Sequence, residues 1–185
     1  MSKKIGMIVG SLRKDSYNKL VAETVAKMLP EGFEAEFVEI GDLPFYNEDL
    51  ETENPPKSWV RLRNQVKALD GVFFFTPEYN RSLPAAIANV VDVASRPYGQ
   101  NVLDNKPAVV FSASQGGIGG FGANHHLRQS LVFVNMPVLA QPEAYLGSIM
   151  DDVGEDGEII PETRAYLQSI VDAYFDMFTR VTMAV

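Results

Sequence analysis

Val72-Phe73-Phe74-Phe75 is the most constraining stretch of this 185-residue chain, four apolar residues in a row bounded by Gly71 and by Thr76-Pro77. A run without alternation has no polar face to leave in water, so it fits a strand covered on both faces at the centre of a parallel sheet. A parallel sheet needs crossovers, and helical patterns stand between the apolar runs. Ile5, Met7, Ile8 and Val9 form the first run, beginning at Lys3 or Lys4, and Leu20, Val21, Val25, Met28 and Leu29 follow at helical spacing up to Pro30 and Gly32. Glu34 to Ile40 alternates polar and apolar, as a half-covered strand near a sheet edge does. Trp59, Val60, Leu62, Val66 and Leu69 mark the helix leading into Val72. Ile87, Val90, Val91 and Ala94 mark the helix after it, with Ser82 placed to cap it and Pro84 in its first turn. Pro107 to Ser114 reads as the fourth strand, 123–134 as a helix, Pro137-Val138-Leu139 as the fifth strand and 142–161 as a polar connection. Tyr166, Leu167, Ile170, Val171, Tyr174, Phe175 and Phe178 fall on one stripe of a last helix. Residues 41–56, proline-bearing, acidic and without period, read as a long surface loop: a binding-site wall, a subunit contact or a solvated excursion.

Alternating strands and helices with right-handed crossovers imply one α/β domain over residues 1–185. The expected architecture is a flavodoxin-like doubly wound five-stranded parallel sheet of order 2-1-3-4-5 with helices on both faces. Ligands of such a sheet lie off the carboxyl ends of strands 1, 3 and 4. The three unusual loops of the sequence, 10–18, 76–82 and 114–122, leave those same ends, and their convergence is hard to explain as packing.

The first loop, Gly10-Ser11-Leu12-Arg13-Lys14-Asp15-Ser16-Tyr17-Asn18, is rich in donors: hydroxyls, an amide, a guanidinium and the N–H groups of a helix start. It contains no Gly-Lys-Ser/Thr and no G-x-G-x-x-G, so a phosphate here would be held by side-chain hydroxyls as well as backbone, in the flavodoxin manner of holding FMN. The plainer reading is a helix cap by Ser16 or Asp15 with Arg13 in solvent. In the third loop Gly117-x-Gly119-x-x-Gly122 matches a dinucleotide pattern, but it follows the fourth strand. Its glycines are better read as letting backbone approach a flat ring.

A formal charge of −8 argues against nucleic acid or an anionic membrane as partner. The chain has no cysteine, so any redox chemistry must come from a bound cofactor. His125 and His126 are adjacent on a helix and point in different directions, which argues against a metal site. No Gly-x-Ser-x-Gly elbow exists, and no histidine is placed to serve a hydrolytic serine. No apolar run approaches the roughly 18 residues of a membrane span, so a cytoplasmic protein is expected.

With these loops in hand, the sequence resembles the NAD(P)H-dependent FMN reductase family, the flavodoxin-like group that includes chromate and quinone reductases and some azoreductases. The resemblance runs from Ile5 to about Gly147. It rests on Gly10-Ser11-Leu12-Arg13 with Ser16 and Asn18, on Thr76-Pro77-Glu78-Tyr79-Asn80-x-Ser82-x-Pro84, and on Asn89, Asp92, Ala94-Ser95-Arg96-Pro97, Gly119-Gly120 and His126-Leu127-Arg128. It implies that Ser11, Arg13, Ser16 and Asn18 hold the phosphate of FMN. Pro77, Glu78, Tyr79 and Asn80 would line the isoalloxazine edge, and Ser114, Gln115 and Gly116 would close the other side. The chemistry would belong to the flavin, with no catalytic side chain. The donor would be NADPH or NADH, and the acceptor a quinone, an azo compound, chromate or free flavin. The resemblance also implies a homodimer or homotetramer. The chain departs from the family pattern at Ala85, Ala88 and Val93, and at Gly122 and His125, which replace a frequent Arg and Tyr that look like interface partners of the glutamate at 143. The alternative reading is a flavodoxin-like electron carrier that binds FMN without oxidising a nicotinamide.

Overall fold

Four of the apolar stretches become parallel strands in the computed structural model, which describes residues 2–183. In chain order the elements are β1 (Lys3–Val9), α1 (Tyr17–Ala26), β2 (Phe33–Phe37), α2 (Lys57–Lys67), β3 (Gly71–Thr76), α3 (Ala85–Ala94), β4 (Ala108–Ala113), α4 (Phe121–Phe133), β5 (Ala144–Leu146) and α5 (Pro161–Thr182). The sheet order is β2-β1-β3-β4-β5, all parallel, as the flavodoxin-like expectation requires.

Strand alternation sorts the core into two layers. Ile5, Met7, Phe73, Phe75, Val109 and Phe111 meet α1 and α5 on one face, while Ile8, Val72, Phe74, Ala108 and Val110 meet α2, α3 and α4 on the other. Every residue of β3 and β4 is buried. Burying a phenylalanine or valine contributes about 1.5–3 kcal/mol, so these two strands make a stiff floor. Phe75 stacks on Phe111 at 5.0 Å, and Tyr174 of α5 donates its hydroxyl to Pro107 O at 3.1 Å. Burial raises the Tyr174 pKa, so that hydroxyl stays a neutral donor.

The register Val9–Phe75, Phe75–Phe111 and Phe111–Ala144 sets the strand ends level. The loops after β1, β3 and β4 therefore leave the sheet side by side.

Three sequence expectations need correction. The fifth strand is Ala144–Leu146, whereas Val138 makes only an isolated parallel bridge to Ala108. The chain runs beside β4 from Pro137 to Leu139, is interrupted, and resumes past Pro142, because prolines cannot donate to a ladder. The polar connection accordingly contains that strand and a short 3-10 turn, Ile149–Asp152. Ser82 does not cap α3: the N-cap is Pro84, with no side-chain hydrogen bond. Strand β2 also begins and ends earlier than its alternation suggests, at Phe33–Phe37.

The 41–56 loop is pinned. Trp59 Nε1 donates to Pro44 O at 3.0 Å, Asn89 Nδ2 to Pro44 O at 3.1 Å, and Tyr46 N to Asn89 Oδ1 at 2.8 Å. Arg63 and Glu51 form a mostly shielded ion pair at 2.8 Å.

Candidate FMN site

Gly10 ends β1 by donating its N–H to Phe75 O at 2.8 Å, and a Cβ there would overlap the Ile87 side chain. The chain can thus turn close over α3. Ser16 is the N-cap of α1, its Oγ accepting from Lys19 N at 3.2 Å. That bond fixes where the helix starts, so the N–H groups of Tyr17 and Asn18 stand in a first turn without helical acceptors. Among the described residues the N–H groups of Ser11, Leu12 and Arg13 also have no protein acceptor. Ser11, Ser16 and Asn18 are buried. Arg13 is exposed, its Cζ 5.4 Å from the centre of the Tyr17 ring, and has no hydrogen bond or ion pair among the described residues. Asn18 donates one amide N–H to Ala113 O at 3.0 Å, fastening α1 to the end of β4.

After β3, Thr76 Oγ1 donates to Pro77 O at 2.8 Å, and a tight hairpin closes with Tyr79 and Ser82 exchanging two bonds of 3.0 Å. Its central residues, Asn80 at φ 53° and Arg81 at φ 64°, have the left-handed geometry of a two-residue turn. Ser82 Oγ lies 3.0 Å from His126 Nδ1, which ties the hairpin to α4. The Glu78 carboxylate is engaged: it accepts from Ala123 N at 3.2 Å in the first turn of α4 and pairs with Arg81 at 3.4 Å. It thereby stands in for the missing side-chain cap of α4.

After β4, the buried Ser112 Oγ donates to Gly119 O at 2.7 Å, and Asn124 Nδ2 reaches Val110 O and Ser112 Oγ, both at 3.2 Å. This network holds the glycine loop against the sheet. Gly120 sits at φ 77°, and a Cβ there would stand 2.9 Å from Ser112 Cβ. Ser114 Oγ accepts from Gly116 N at 3.1 Å.

The three loops enclose an open cleft of ≈ 260 Å³. Ser11, Arg13, Ser16, Asn18, Pro77, Glu78, Tyr79, Ser114 and Gln115 line it, as the sequence suggests. Asn80 and Gly116 do not: the first is carried outward at the hairpin tip, and the second is turned into its own loop. Tyr17 and Ala113 are lining residues that the sequence reading missed. Tyr17 had a signal, an aromatic at the first helical position beside Arg13, whereas Ala113 offers only backbone.

The donor set fits FMN. Two buried hydroxyls, backbone N–H groups without acceptors, a helix start and an unpaired guanidinium converge at one end, which is the chemistry a phosphate dianion requires. The one carboxylate in the lining is committed to α4. At the other end Pro77, Tyr79, Ala113, Ser114 and Gln115 form a slot suited to a flat ring.

His125 and His126 diverge as their adjacency requires. His125 Nε2 lies 2.8 Å from Tyr145 Oη and 3.6 Å from Glu143 Oε1, with Phe121 against its ring at 4.3 Å. Burial and the Glu143 carboxylate push the Tyr145 hydroxyl up to about 12. Among the described residues no group of three or more acidic or histidine side chains could hold a metal.

A doubly wound sheet with a donor-rich first loop beside the loops that follow strands 3 and 4 is the arrangement of a flavin-mononucleotide protein. The chain belongs to the NADPH-dependent FMN reductase family, whose model matches residues 3–151. It is 50 % identical over 170 residues to a quinone reductase of Pseudomonas putida, covering 92 % of this chain and 91 % of the relative. A 2-hydroxy-1,4-benzoquinone reductase of Burkholderia sp. is 39 % identical over 175 residues, covering 94 % and 95 %. The solved structure of FerB, a flavoenzyme NAD(P)H:(acceptor) oxidoreductase from Paracoccus denitrificans, superposes with a TM-score of 0.89 at 39 % identity, covering 96 % of this chain and 98 % of that one. FMN is the cofactor, a nicotinamide nucleotide is the electron donor, and the protein is an oxidoreductase.

Proposed function

We propose that the protein is an NAD(P)H-dependent quinone reductase working through FMN bound in the cleft. The observation that carries this reading is the convergence of unpaired donors and a flat slot at the ends of β1, β3 and β4. Ser11, Ser16, Arg13 and the first-turn N–H groups would bind the phosphate, with Asn18 positioned by its bond to Ala113 O. Pro77, Tyr79, Ser114 and Gln115 would orient the ring, while Glu78, Asn80 and Gly116 hold the loops that carry these residues. When bound, FMN supplies the two-electron chemistry, accepting hydride from the nicotinamide and passing electrons to the acceptor. No side-chain acid or base is required of the protein.

The quinone assignment draws on an apolar cavity of ≈ 420 Å³ that adjoins the cleft, sharing Arg13 and Tyr79 with it and lined by Leu12, Leu43, Phe45 and Pro84. An uncharged ring suits such walls. Azo compounds, chromate and free flavin are further acceptors for the same open slot. The open slot and the nicotinamide donor disfavour a carrier that shields its flavin. Exposed Leu12, Phe45 and Tyr79 around the mouth, and Phe133 on α4, support a homodimer or homotetramer. Among the described residues no helix is long and apolar enough to cross a membrane. The nicotinamide donor suits action in the cytoplasm.

Steady-state assay tests the reading. FMN-reconstituted protein should oxidise NADPH or NADH with 1,4-benzoquinone as acceptor, and apo-protein should not. Equal rates with and without FMN would refute it.

A further inference from the structure

The ≈ 420 Å³ cavity beside the cleft is polar on one side only. Leu12, Leu43, Phe45 and Pro84 wall it, and the small side chain of Ala85 at the start of α3 leaves it room. Its only polar side chains are Arg13, Asn89 and Tyr79. Asn89 is committed to the scaffold, its Oδ1 accepting from Tyr46 N at 2.8 Å and its Nδ2 donating to Pro44 O at 3.1 Å. Arg13 is assigned to the FMN phosphate. That leaves the Tyr79 hydroxyl, which has no hydrogen bond among the described residues, and Tyr79 is the wall that the cavity shares with the ring end of the cleft.

The apolar wall is held open by the backbone. Pro44 and Tyr46, on either side of Phe45, are pinned by Trp59 and Asn89, and the Tyr46 ring stacks on Trp59 at 5.4 Å. Phe45 is nevertheless 72 % exposed, and Leu12 across the cavity is 60 % exposed. Fixed aromatic and aliphatic surface around one concavity fits an apolar ligand group. The segment 41–49 that carries Leu43 and Phe45 also holds Asp42, Glu48 and Asp49 and no cation, which disfavours an anionic group.

We propose that this cavity takes an uncharged apolar side chain of the acceptor, so that the enzyme prefers quinones bearing an alkyl or isoprenoid substituent. The quinone ring lies at the ring end of the cleft, one carbonyl oxygen accepting from the Tyr79 hydroxyl, and the chain passes Tyr79 to pack on Leu43 and Phe45. Nothing in this path uses Ser11 or Arg13. The proposal rests on the quinone-reductase reading and adds which quinones are preferred. At roughly 30 Å³ per water-sized group, a chain of about ten carbons fills the space. Phe45 and Leu43 are specificity-determining residues and touch no reacting atom.

The test is turnover of FMN-loaded protein with 1,4-benzoquinones carrying one methyl, propyl, pentyl or decyl group, whose rings are electronically alike. Each buried methylene should raise kcat/KM about two- to fourfold, so pentyl should exceed methyl at least roughly tenfold, through KM. Phe45→Ser, which removes an exposed wall, and Ala85→Phe, which fills the space, should each bring the pentyl-to-methyl ratio down towards one. Tyr98→Ser, which removes an exposed aromatic outside the cavity, should keep the parent's ratio. Calorimetric titration with redox-inert 4-methylphenol and 4-pentylphenol should show the same chain-length gain in affinity, and the same loss in Phe45→Ser. A parent indifferent to chain length, as a second copy seated in the cavity would make it, overturns the proposal. So does a ratio that survives Phe45→Ser and Ala85→Phe, or one that Tyr98→Ser abolishes. Failure of the parent to reduce any of the quinones would instead overturn the reductase reading, and the phenol titrations decide the cavity regardless.

Discussion

Replacing Arg13 by alanine separates binding from folding. The guanidinium is exposed, has no partner among the described residues, and rests over Tyr17 at 5.4 Å. In the absence of FMN its removal deletes one exposed cation–π contact, worth about 0.5–1 kcal/mol, so apo-protein stability should fall by no more than that. With FMN bound it should make charge-assisted hydrogen bonds to the phosphate, and such bonds contribute about 1.5–3 kcal/mol. One factor of ten in affinity corresponds to about 1.4 kcal/mol, so FMN binding should weaken roughly ten- to a hundredfold. Arg13→Lys should recover only part of the loss, because an ammonium reproduces the charge but not the planar fork. Titration of apo-protein with FMN, followed by quenching of flavin fluorescence, reads the affinity; urea unfolding of the apo-protein reads the stability. If Arg13→Ala bound FMN as tightly as the parent, the phosphate would lie elsewhere and Gly10 to Asn18 would be no more than a helix start.

Other residues test the scaffold. Asn18→Leu removes the amide that satisfies the buried Ala113 O, and should cost about 1–3 kcal/mol in urea unfolding as well as weakening FMN. Gly120→Ala puts a side chain at φ 77° against Ser112, and should destabilise by about 1–3 kcal/mol, seen as a lower Tm. The Lys4 hydrogen bond holds Glu36 below its ordinary 4.5. Its contribution is therefore fully present above pH 4.5 and is lost as pH falls through the lowered folded value. Glu36→Gln should lower the neutral plateau, leave stability below the lowered folded value nearly unchanged, and so flatten the acid limb of stability against pH.

The sheet was legible because β3 and β4 are buried on both faces, which forces unbroken apolar runs such as Val72–Phe75. Loop 10–18 was legible as a cluster of donors, because Arg13 and the N–H groups of Ser11, Leu12 and Arg13 have no protein acceptor among the described residues. Edges were not legible. β5 is a short pairing of Ala-Tyr-Leu, and only its contact with Phe111, Ser112 and Ala113 distinguishes it from the more strand-like Pro137-Val138-Leu139. Nor does sequence reveal side-chain direction. Glu78 stands in the ring loop by position, yet its carboxylate serves the start of α4, a partner 45 residues away. Ser82 precedes a helix as a cap should, yet it faces His126 because Pro84 already sets the entry to α3.

The central claim is that electrons from a nicotinamide cross this cleft to a quinone. Anaerobic mixing of the FMN-loaded protein with NADPH, followed by 1,4-benzoquinone, tests it directly in a stopped-flow spectrophotometer. The flavin absorbance band should bleach on the first addition and return on the second, with both phases lost when the protein carries no FMN. A band that NADPH and NADH both leave intact, or that bleaches and then fails to return with the quinone, would contradict the account.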